Sequence, residues 1–373
     1  MTETSDHFDP WQSLPAHPKM GGTPLPTYAL DFVTIEGVVP LDMQTGASPK
    51  KTVPDALQEA LFGQPDPTEA EIEAAGGDPA AVPQMRTYAV LDAGKIMHLP
   101  ERLDASGLDH RCLYQGDAAQ EHGNVAPWIV RLEEKNAFAR SLFSAAEEPD
   151  NLWWSDPGIL IRSRAALDEI RGHLRKFTRV QDEQGKWFYF RFWEGWHFHV
   201  LAGRQERLPE LSRLFARILR DGAAVVPHHR IEEAVLVRRA RDRPDDRFVL
   251  TDTLRAEMKL AVFYRNMMAS GFDLHAQHPD EAKRYGDKPQ DMWPLLYDFA
   301  DEVRAAGLRD PQLRARLMLL GFISFPEPWP AFIEQPFWQE IRSSGRADEM
   351  FEDFCNRLKY QNARNGTAES IWW

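Results

Sequence analysis

The chain has 373 residues, 43% hydrophobic and 27% charged, a balance typical of globular proteins and a length that suits two or three domains. Its formal net charge of −13 argues against nucleic acid as the main partner, because phosphate binding requires clustered cations. No apolar run reaches the roughly 18–20 residues of a membrane span, and no signal peptide is recognised. The two cysteines, Cys112 and Cys355, lie far apart in the sequence, so we expect a reduced, cytoplasmic protein that does not insert into membranes.

The first 84 residues are predicted to form an acidic, proline-rich N-terminal arm that wraps a larger body. They contain 12 prolines, and 13 acidic against 3 basic residues. Proline fixes φ and lacks an N–H group, so long regular elements are not expected there. Two stretches favour order: residues 27–39 are β-rich, and residues 52–63 predict a short helix that ends at Gly63.

Residues 85–245 predict an α+β domain with a central mixed sheet flanked by helices, since strand and helix patterns alternate along them. Ser163 is expected to cap a helix whose apolar residues recur every three or four positions and therefore share one face. The members of that face are Leu167, Ile170, Leu174 and Phe177. The predicted strands are 87–93, 110–116, 126–132, 158–163, 187–194 and 230–240, and the predicted helices are 97–107, 136–146, 164–180 and 208–219.

The stretch WFYFRFWEGWHFHV, residues 187–200, follows a predicted turn at residues 182–185 and is rich in aromatic side chains. In a strand its first eight residues alternate between a phenylalanine face and an amphipathic Trp/Tyr/Arg face. This pattern favours a central strand of the buried sheet. It also suits a peptide-binding surface, because Trp, Tyr and Arg are enriched at interface hot spots. The candidate binding residues are Trp187, Tyr189, Arg191 and Trp193, joined beyond the turn by Trp196.

Residues 246–373 predict an all-helical C-terminal lobe, with helices at 252–271, 291–307, 310–321, 329–345 and 346–362 separated by Gly and Pro. The large apolar side chains of this lobe fit either its own core or a groove that holds an apolar or amphipathic helix of a partner. Methionine suits such a groove, because its flexible side chain adapts to varied partners. The candidates for this groove are Phe263, Met267, Met268, Trp293, Trp329, Phe332, Phe337 and Trp338.

Motifs for catalysis or cofactor binding were not recognised. The sequence contains no nucleophile elbow, phosphate-binding loop or dinucleotide fingerprint, so neither an enzyme nor a cofactor is expected. His197 and His199 would share one side of a strand and suit a metal ion, which makes a metal-dependent hydrolase the alternative function. The segment GKWFYFRF also resembles the aromatic strand of RNA-recognition modules, a third possibility, although basic residues around it are sparse.

Several segments taken in order resemble a known family. They are TYAVLDAG (87–94), CLYQG (112–116), APWIVRL (126–132), GILIRSRAALDEIRGHLRKFTRV (158–180) and WFYFRFWE (187–194). This set, within about residues 87–220, resembles the domain of type VI secretion effector adaptors, also called effector chaperones. The family usually continues with an Asp-Pro-Arg turn, whereas this chain has Glu194, Gly195 and Trp196, so no function of that turn is carried over.

The resemblance implies a non-enzymatic adaptor in bacterial toxin delivery. Such adaptors bind a toxic effector in the cytoplasm and help to load it onto the secretion spike, a VgrG trimer or its PAAR cap. The N-terminal segment of an effector is often hydrophobic and would aggregate unless it were covered. We expect the helical lobe to hold that segment, and the acidic arm to contribute solubility.

Overall fold

The computed structural model describes residues 29–146, 151–240 and 249–364. Its contacts divide the chain into two units, residues 1–258 and 259–373, and the division falls within a long helix, Asp252–Gln277. The first unit contains a seven-stranded sheet with helices, and the second is helical, which confirms the α+β class with a C-terminal helical region. No helix in the described ranges is both long enough and apolar enough to cross a membrane.

The seven-stranded sheet has the order β1-β9-β8-β5-β2-β4-β3. All six of its ladders are antiparallel, a more uniform pairing than the mixed sheet expected from the sequence. A separate two-stranded ribbon pairs β6 with β7. The strands are β1 Leu30–Glu36, β2 Arg86–Asp92, β3 His110–Cys112, β4 Pro127–Leu132, β5 Gly158–Ser163, β6 Arg179–Gln181, β7 Trp187–Tyr189, β8 Ala223–His228 and β9 Glu233–Arg239.

The helices of the first unit agree with most of the predicted ones, although several are shorter. The helix after β5 begins at Leu167, not at residue 164, because Ser163 still belongs to the strand and its hydroxyl accepts a bond from the nearby Ala165 N–H. The predicted apolar face is nonetheless largely buried. These helices are α1 Asp55–Phe62, α2 Glu69–Ala74, α3 Leu99–Ser106, α4 Asp117–His122, α5 Ala137–Ser141, α6 Leu167–Leu174, α7 Trp196–Arg204 and α8 Pro209–Leu219.

The ordered part of the predicted arm is built into the first unit. Strand β1 forms one edge of the sheet, where it pairs with β9 along its whole length. Arg162 of β5 is 1% exposed and donates to the carbonyl groups of Leu61 and Gly63 at the end of α1, where backbone acceptors lack helical partners. Burial lowers the pKa of Arg162 to about 10. Arg164 adds a salt bridge of 2.9 Å to Glu71, so two neighbouring arginines fasten the arm to the sheet.

The second unit buries a cluster of aromatic rings. The rings of Phe322 and Trp329 stack with centroids 5.2 Å apart, and Phe332 stacks on Trp329 at 5.5 Å. Gly321 permits this packing, because a Cβ at that position would lie 2.5 Å from the Trp329 ring. Gly321 lies in a π-helical segment, residues 319–324, where helical geometry is locally widened.

Three predicted helices of this region end differently in the structure. The helix of residues 252–271 continues past Gly271 to Gln277, because the missing side chain of Gly271 admits Leu296 instead of ending the helix. Residues 329–345 form two helices, since Pro336 begins a new one. Residues 310–321 begin as an α-helix and continue as the π-helical segment. The helices are α9 Asp252–Gln277, α10 Pro279–Ala282, α11 Trp293–Ala306, α12 Pro311–Met318, α13 Trp329–Phe332, α14 Pro336–Ser343 and α15 Ala347–Arg364.

Candidate partner-binding surface

The β6–β7 ribbon is a hairpin closed by a turn that its own sequence encodes. Asp182 begins the turn, and its carboxylate accepts from the backbone N–H groups of Gln184, at 3.1 Å, and Lys186, at 2.8 Å. Gly185 has a φ of 84°, a value that glycine adopts without steric cost. Aspartate at the start and glycine near the end are typical of tight turns, so the turn predicted at 182–185 is confirmed.

Side chains alternate between the two faces of the ribbon, as the pleat requires. On the inner face Val180 is 3% exposed, and Phe188 is half-buried with the Arg255 guanidinium 4.8 Å from its ring centroid. The backbone N–H of Leu250 donates to the carbonyl of Gln181 at 2.8 Å. The ribbon is therefore held from behind by residues of the same unit, and its other face is turned away from them.

The outer face of the ribbon carries two exposed aromatic rings with an arginine beside them. Trp187 is 53% exposed and Tyr189 is 65% exposed. Arg179 lies directly opposite Tyr189 in the strand register, and its guanidinium carbon is 5.1 Å from the Trp187 ring centroid and 5.8 Å from that of Tyr189. We call Arg179, Trp187 and Tyr189 the ribbon face. Two exposed rings that flank an arginine on one face suit a protein partner, because Trp, Tyr and Arg are the usual anchors of protein interfaces.

Tyr114 extends the ribbon face towards the seven-stranded sheet. Its ring centroid is 6.2 Å from that of Tyr189, and the two rings are tilted by 47°. Tyr114 follows strand β3 and is half-buried, and burial raises its pKa above the ordinary value. The phenol therefore stays neutral at physiological pH and offers a ring and a hydroxyl group rather than a charge.

The predicted strand of residues 187–194 is wrong beyond Tyr189. The last backbone bond of the ribbon is donated by Phe190 to the carbonyl of Thr178 at 3.0 Å. Phe192 and Trp193 then turn inward and are 0% and 2% exposed. Alternation predicted a central strand, but the chain leaves the ladder after Tyr189 and turns at residues 192–193. Phe192 and Trp193 fill the core from an irregular segment instead.

Arg191 and Trp196 are engaged within their own domain. Arg191 forms salt bridges with the buried Asp92 and, at 2.8 Å, with Glu194. Trp196 donates its indole N–H to Glu194 at 2.7 Å and stacks on the His197 ring, with centroids 3.7 Å apart. Of the five candidates in this stretch, Trp187 and Tyr189 are thus the ones whose rings are mainly exposed, and Trp193 is out of reach of a partner in this conformation.

The expected His-x-His geometry is wrong, because His197 and His199 lie on helix α7 and not on a strand. Two residues apart on a helix differ by about 200° in direction, so the rings diverge. His197 is buried with its Nδ1 donating to the Glu194 carbonyl at 2.9 Å, whereas His199 faces His228 at 4.7 Å between ring centroids. In the described part of the chain no three His, Cys, Asp or Glu side chains converge as metal ligands.

His199 belongs to a second cluster of titratable groups, at the end of β8. Burial lowers the pKa of His199 to about 4, and burial together with its histidine neighbours lowers that of His228 to about 2. His229 lies 3.3 Å from the carboxylate of Asp156, which also binds Lys95 at 3.1 Å. Burial of Asp156 is outweighed by these partners, so its pKa lies below the ordinary value. We interpret the cluster as part of the packing of α7 against the sheet.

The candidate groove residues of the helical lobe are mostly core residues. Exposure is 9% for Met267, 8% for Met268, 1% for Trp329 and 0% for Phe332 and Trp338. Phe263, Trp293 and Phe337 are half-buried and remain within reach of a partner. The lobe as an effector-binding site stays a prediction.

Sequence reasoning missed Arg179, although a signal for it was present. The turn at 182–185 was recognised, and pairing the residues on its two sides places Arg179 opposite Tyr189. The local charge was a second signal, because residues 171–191 contain six basic and two acidic side chains in a chain of net charge −13. Tyr114 could not be found in this way, since only the tertiary fold brings it beside the ribbon.

A protein-family model matches part of the chain. Residues 87–207, about a third of the chain, match the model of a family described as Domain of unknown function (DUF4123). No curated protein and no solved structure matches the chain. The matched span begins within β2 and ends just after α7, so the ribbon face and Tyr114 lie inside the part of the chain that resembles this family.

Proposed function

We propose that this protein is a non-enzymatic adaptor, or chaperone, that binds a type VI secretion effector in the cytoplasm and assists its loading onto the VgrG/PAAR spike. Two lines of support meet in the same residues. The segments that resemble effector adaptors begin at residue 87, as the family match does, and end at residue 194, within the matched span of 87–207. The exposed rings of the ribbon face lie in that span as well.

The exposure of Trp187 and Tyr189 on a supported hairpin is the observation that carries the proposal. A hairpin held by a hydrogen-bonded turn and a buried inner face orders its side chains before a partner arrives, which lowers the entropic cost of binding. Tryptophan and tyrosine contribute large contact areas with few rotatable bonds. Such a face is suited to bind another polypeptide, and binding requires no catalytic side chain.

Effector capture tests the proposal in the complete chain. Any toxin or spike protein encoded beside this gene is co-expressed with the tagged protein, and the amount of each that co-purifies is measured. Trp187→Ala/Tyr189→Ala is expected to reduce capture of the cognate toxin by at least about tenfold, because truncation of hot-spot aromatics costs 2 kcal/mol or more. Its matched control is Trp154→Ala/Tyr360→Ala, which removes two equally exposed rings, 66% and 67%, outside the ribbon face.

The possible outcomes test the ribbon face as the effector-binding site separately from the adaptor function itself. Equal capture by the ribbon variant and the wild-type protein would exclude the ribbon face as the effector site. If the wild-type protein captures neither a toxin nor a spike protein, the adaptor function itself is wrong. Deletion of the gene provides the cellular test, since an adaptor is needed for export of its own effector and not for assembly of the secretion machine.

A further inference from the structure

We propose that Arg179 is a carboxylate receptor, and that the ribbon face binds an extended, acidic segment of a partner protein. In this complex an Asp or Glu side chain of the segment pairs with the Arg179 guanidinium, and an apolar side chain beside it packs on Trp187 or Tyr189. The inference rests on the proposed function only in naming the effector as the protein that supplies the segment. The recognition chemistry stands on the ribbon itself.

Arg179 is positioned between its two rings, and no carboxylate of the described residues pairs with it. Its side-chain contacts in the described residues are with the Trp187 and Tyr189 rings. The other arginines around the ribbon are occupied: Arg191 pairs with Asp92 and Glu194, and Arg255 with Asp182. A guanidinium has five N–H donors in one plane, which match the two oxygens of a carboxylate. Contact with the rings restrains that plane and leaves these donors for a partner.

The electrostatic surroundings favour an acidic ligand. Residues 171–191 carry six basic and two acidic side chains, and one of the two, Asp182, is held by its own turn and by Arg255. Lys176 and Lys186 are exposed near the ends of the two strands. A local excess of positive charge attracts a segment of opposite sign and raises its association rate, while it disfavours basic segments.

The geometry of the ribbon indicates an extended peptide. Trp187 and Tyr189 are two residues apart in one strand, so their side chains stand on the same face about 7 Å apart. The side chains at positions i and i+2 of an extended peptide have the same spacing. A segment with an apolar residue two positions from an acidic one therefore places both on the ribbon face.

A single-stranded nucleic acid is the competing ligand, because rings beside cations also stack on bases. The charges favour the peptide. Arg171 and Arg175 donate to the backbone carbonyls of Cys112, at 2.8 Å, and Leu113, at 3.0 Å, so they are not free to follow a phosphate chain. The net charge of −13 also repels a polyanion, whereas a short acidic segment carries only a few charges.

Selection from a random peptide library tests the inference directly. Peptides of about 12 residues are displayed against the complete protein, and those that bind are sequenced and synthesised with a fluorescent label. We expect acidic peptides with an aromatic or aliphatic residue two positions from Asp or Glu. In anisotropy titrations Arg179→Glu is expected to weaken their binding at least about tenfold and Arg179→Lys about threefold, because lysine keeps the charge and loses the bidentate fork.

The matched control is Arg346→Glu, which makes the same change of charge at an exposed arginine of the second unit. It is expected to leave peptide binding within about twofold of the wild-type protein. An oligothymidylate of similar length is titrated in parallel at about 150 mM salt. Tighter binding of the oligonucleotide than of the peptides would overturn the proposal in favour of nucleic acid. Enrichment of neutral or basic peptides, or unchanged binding by Arg179→Glu, would overturn it as well.

The result can be separated from that of the capture experiment. Suppose that Trp187→Ala/Tyr189→Ala no longer captures the toxin, while Arg179→Glu still binds both the toxin and the selected peptides. This result would support the adaptor function and contradict the role of Arg179 as a carboxylate receptor. If the acidic peptides bind and no toxin is captured, the result would support the carboxylate receptor and contradict the adaptor function.

Discussion

Two regions of this protein are rich in aromatic residues and use them in opposite ways. On the ribbon, Trp187 and Tyr189 are 53% and 65% exposed and touch an arginine. In the second unit, Trp329, Phe332 and Trp338 are at most 1% exposed, and the Phe332 ring packs against both tryptophan rings. The difference teaches that aromatic content does not identify a binding surface. Whether the rings are exposed depends on the packing of the element that carries them. They are buried when other elements cover both of its faces, and they can be exposed when only one face is covered.

The largest expected effect is on the stability of the second unit. Phe332→Ala removes a ring in contact with four other aromatic rings, those of Trp329, Phe325, Phe337 and Trp338. We expect the free energy of unfolding of this unit to fall by about 3–5 kcal/mol, from lost burial and the cavity left behind. Urea unfolding followed by circular dichroism measures the change.

Trp187→Ala is the contrasting variant, because it also removes a large ring but from an exposed position. It is expected to change the free energy of unfolding by no more than about 0.5 kcal/mol. A loss comparable to that of Phe332→Ala would show that the ribbon rings are structural, and the contrast between the two regions would disappear.

A smaller effect compares two helical glycines. In helix α9, a Cβ on Gly271 would lie 2.2 Å from a methyl group of the buried Leu296, so Gly271→Ala is expected to destabilise the protein by about 1–2 kcal/mol. In helix α6, Gly172 has open space around the same position, and Gly172→Ala is expected to stabilise by up to about 1 kcal/mol through helix propensity. Thermal melting of both variants measures the two shifts. Shifts of the same sign would contradict the close packing at Gly271.

The last expected effect concerns acid, which should weaken the first unit through its partly buried histidines. The pKa of His199 falls from 6.5 to about 4 on folding, so below pH 6.5 the unfolded chain binds a proton that the folded chain does not. Stability is therefore lost as the pH falls from about 6.5 towards 4, and at about pH 5 this one group accounts for up to about 2 kcal/mol. Urea unfolding at pH 7 and at about pH 5 measures the loss.

His199→Gln is the control for this effect, because glutamine keeps a donor for the Pro227 carbonyl and does not titrate. The variant should lose less stability on acidification than the wild-type protein. Other ionisable groups lie around His199, namely His228, His229, Asp156 and Lys95, so the difference between the two proteins is the quantity to compare. Equal losses would assign the acid sensitivity to these neighbours.

Most strands of the sheet could be predicted from short apolar runs, as at 87–93, 126–132 and 158–163. Strands that are buried on both faces have few polar residues, so they stand out in the sequence as continuous apolar segments. Several helix ends could also be predicted, as at Gly63, Gly107 and Gly307, where the glycine directly follows the last helical residue. The helix end predicted at Gly271 was wrong. In the sequence, a glycine that makes room for a neighbouring side chain looks the same as a glycine that ends a helix. The candidate site was predicted in part: Trp187 and Tyr189 were named, whereas Arg179 and Tyr114 were not.

The sequence by itself determined the α+β region, the helical region and the ribbon turn, because periodicity and turn chemistry act over a few residues. The tertiary structure alone decided which rings are exposed, that His197 and His199 diverge, and that Arg179 lies between two exposed rings. These properties depend on contacts between residues far apart in the chain, such as Tyr114 beside Tyr189 and Arg162 at the end of α1. Local pattern cannot specify such contacts, since they arise only when the elements pack together.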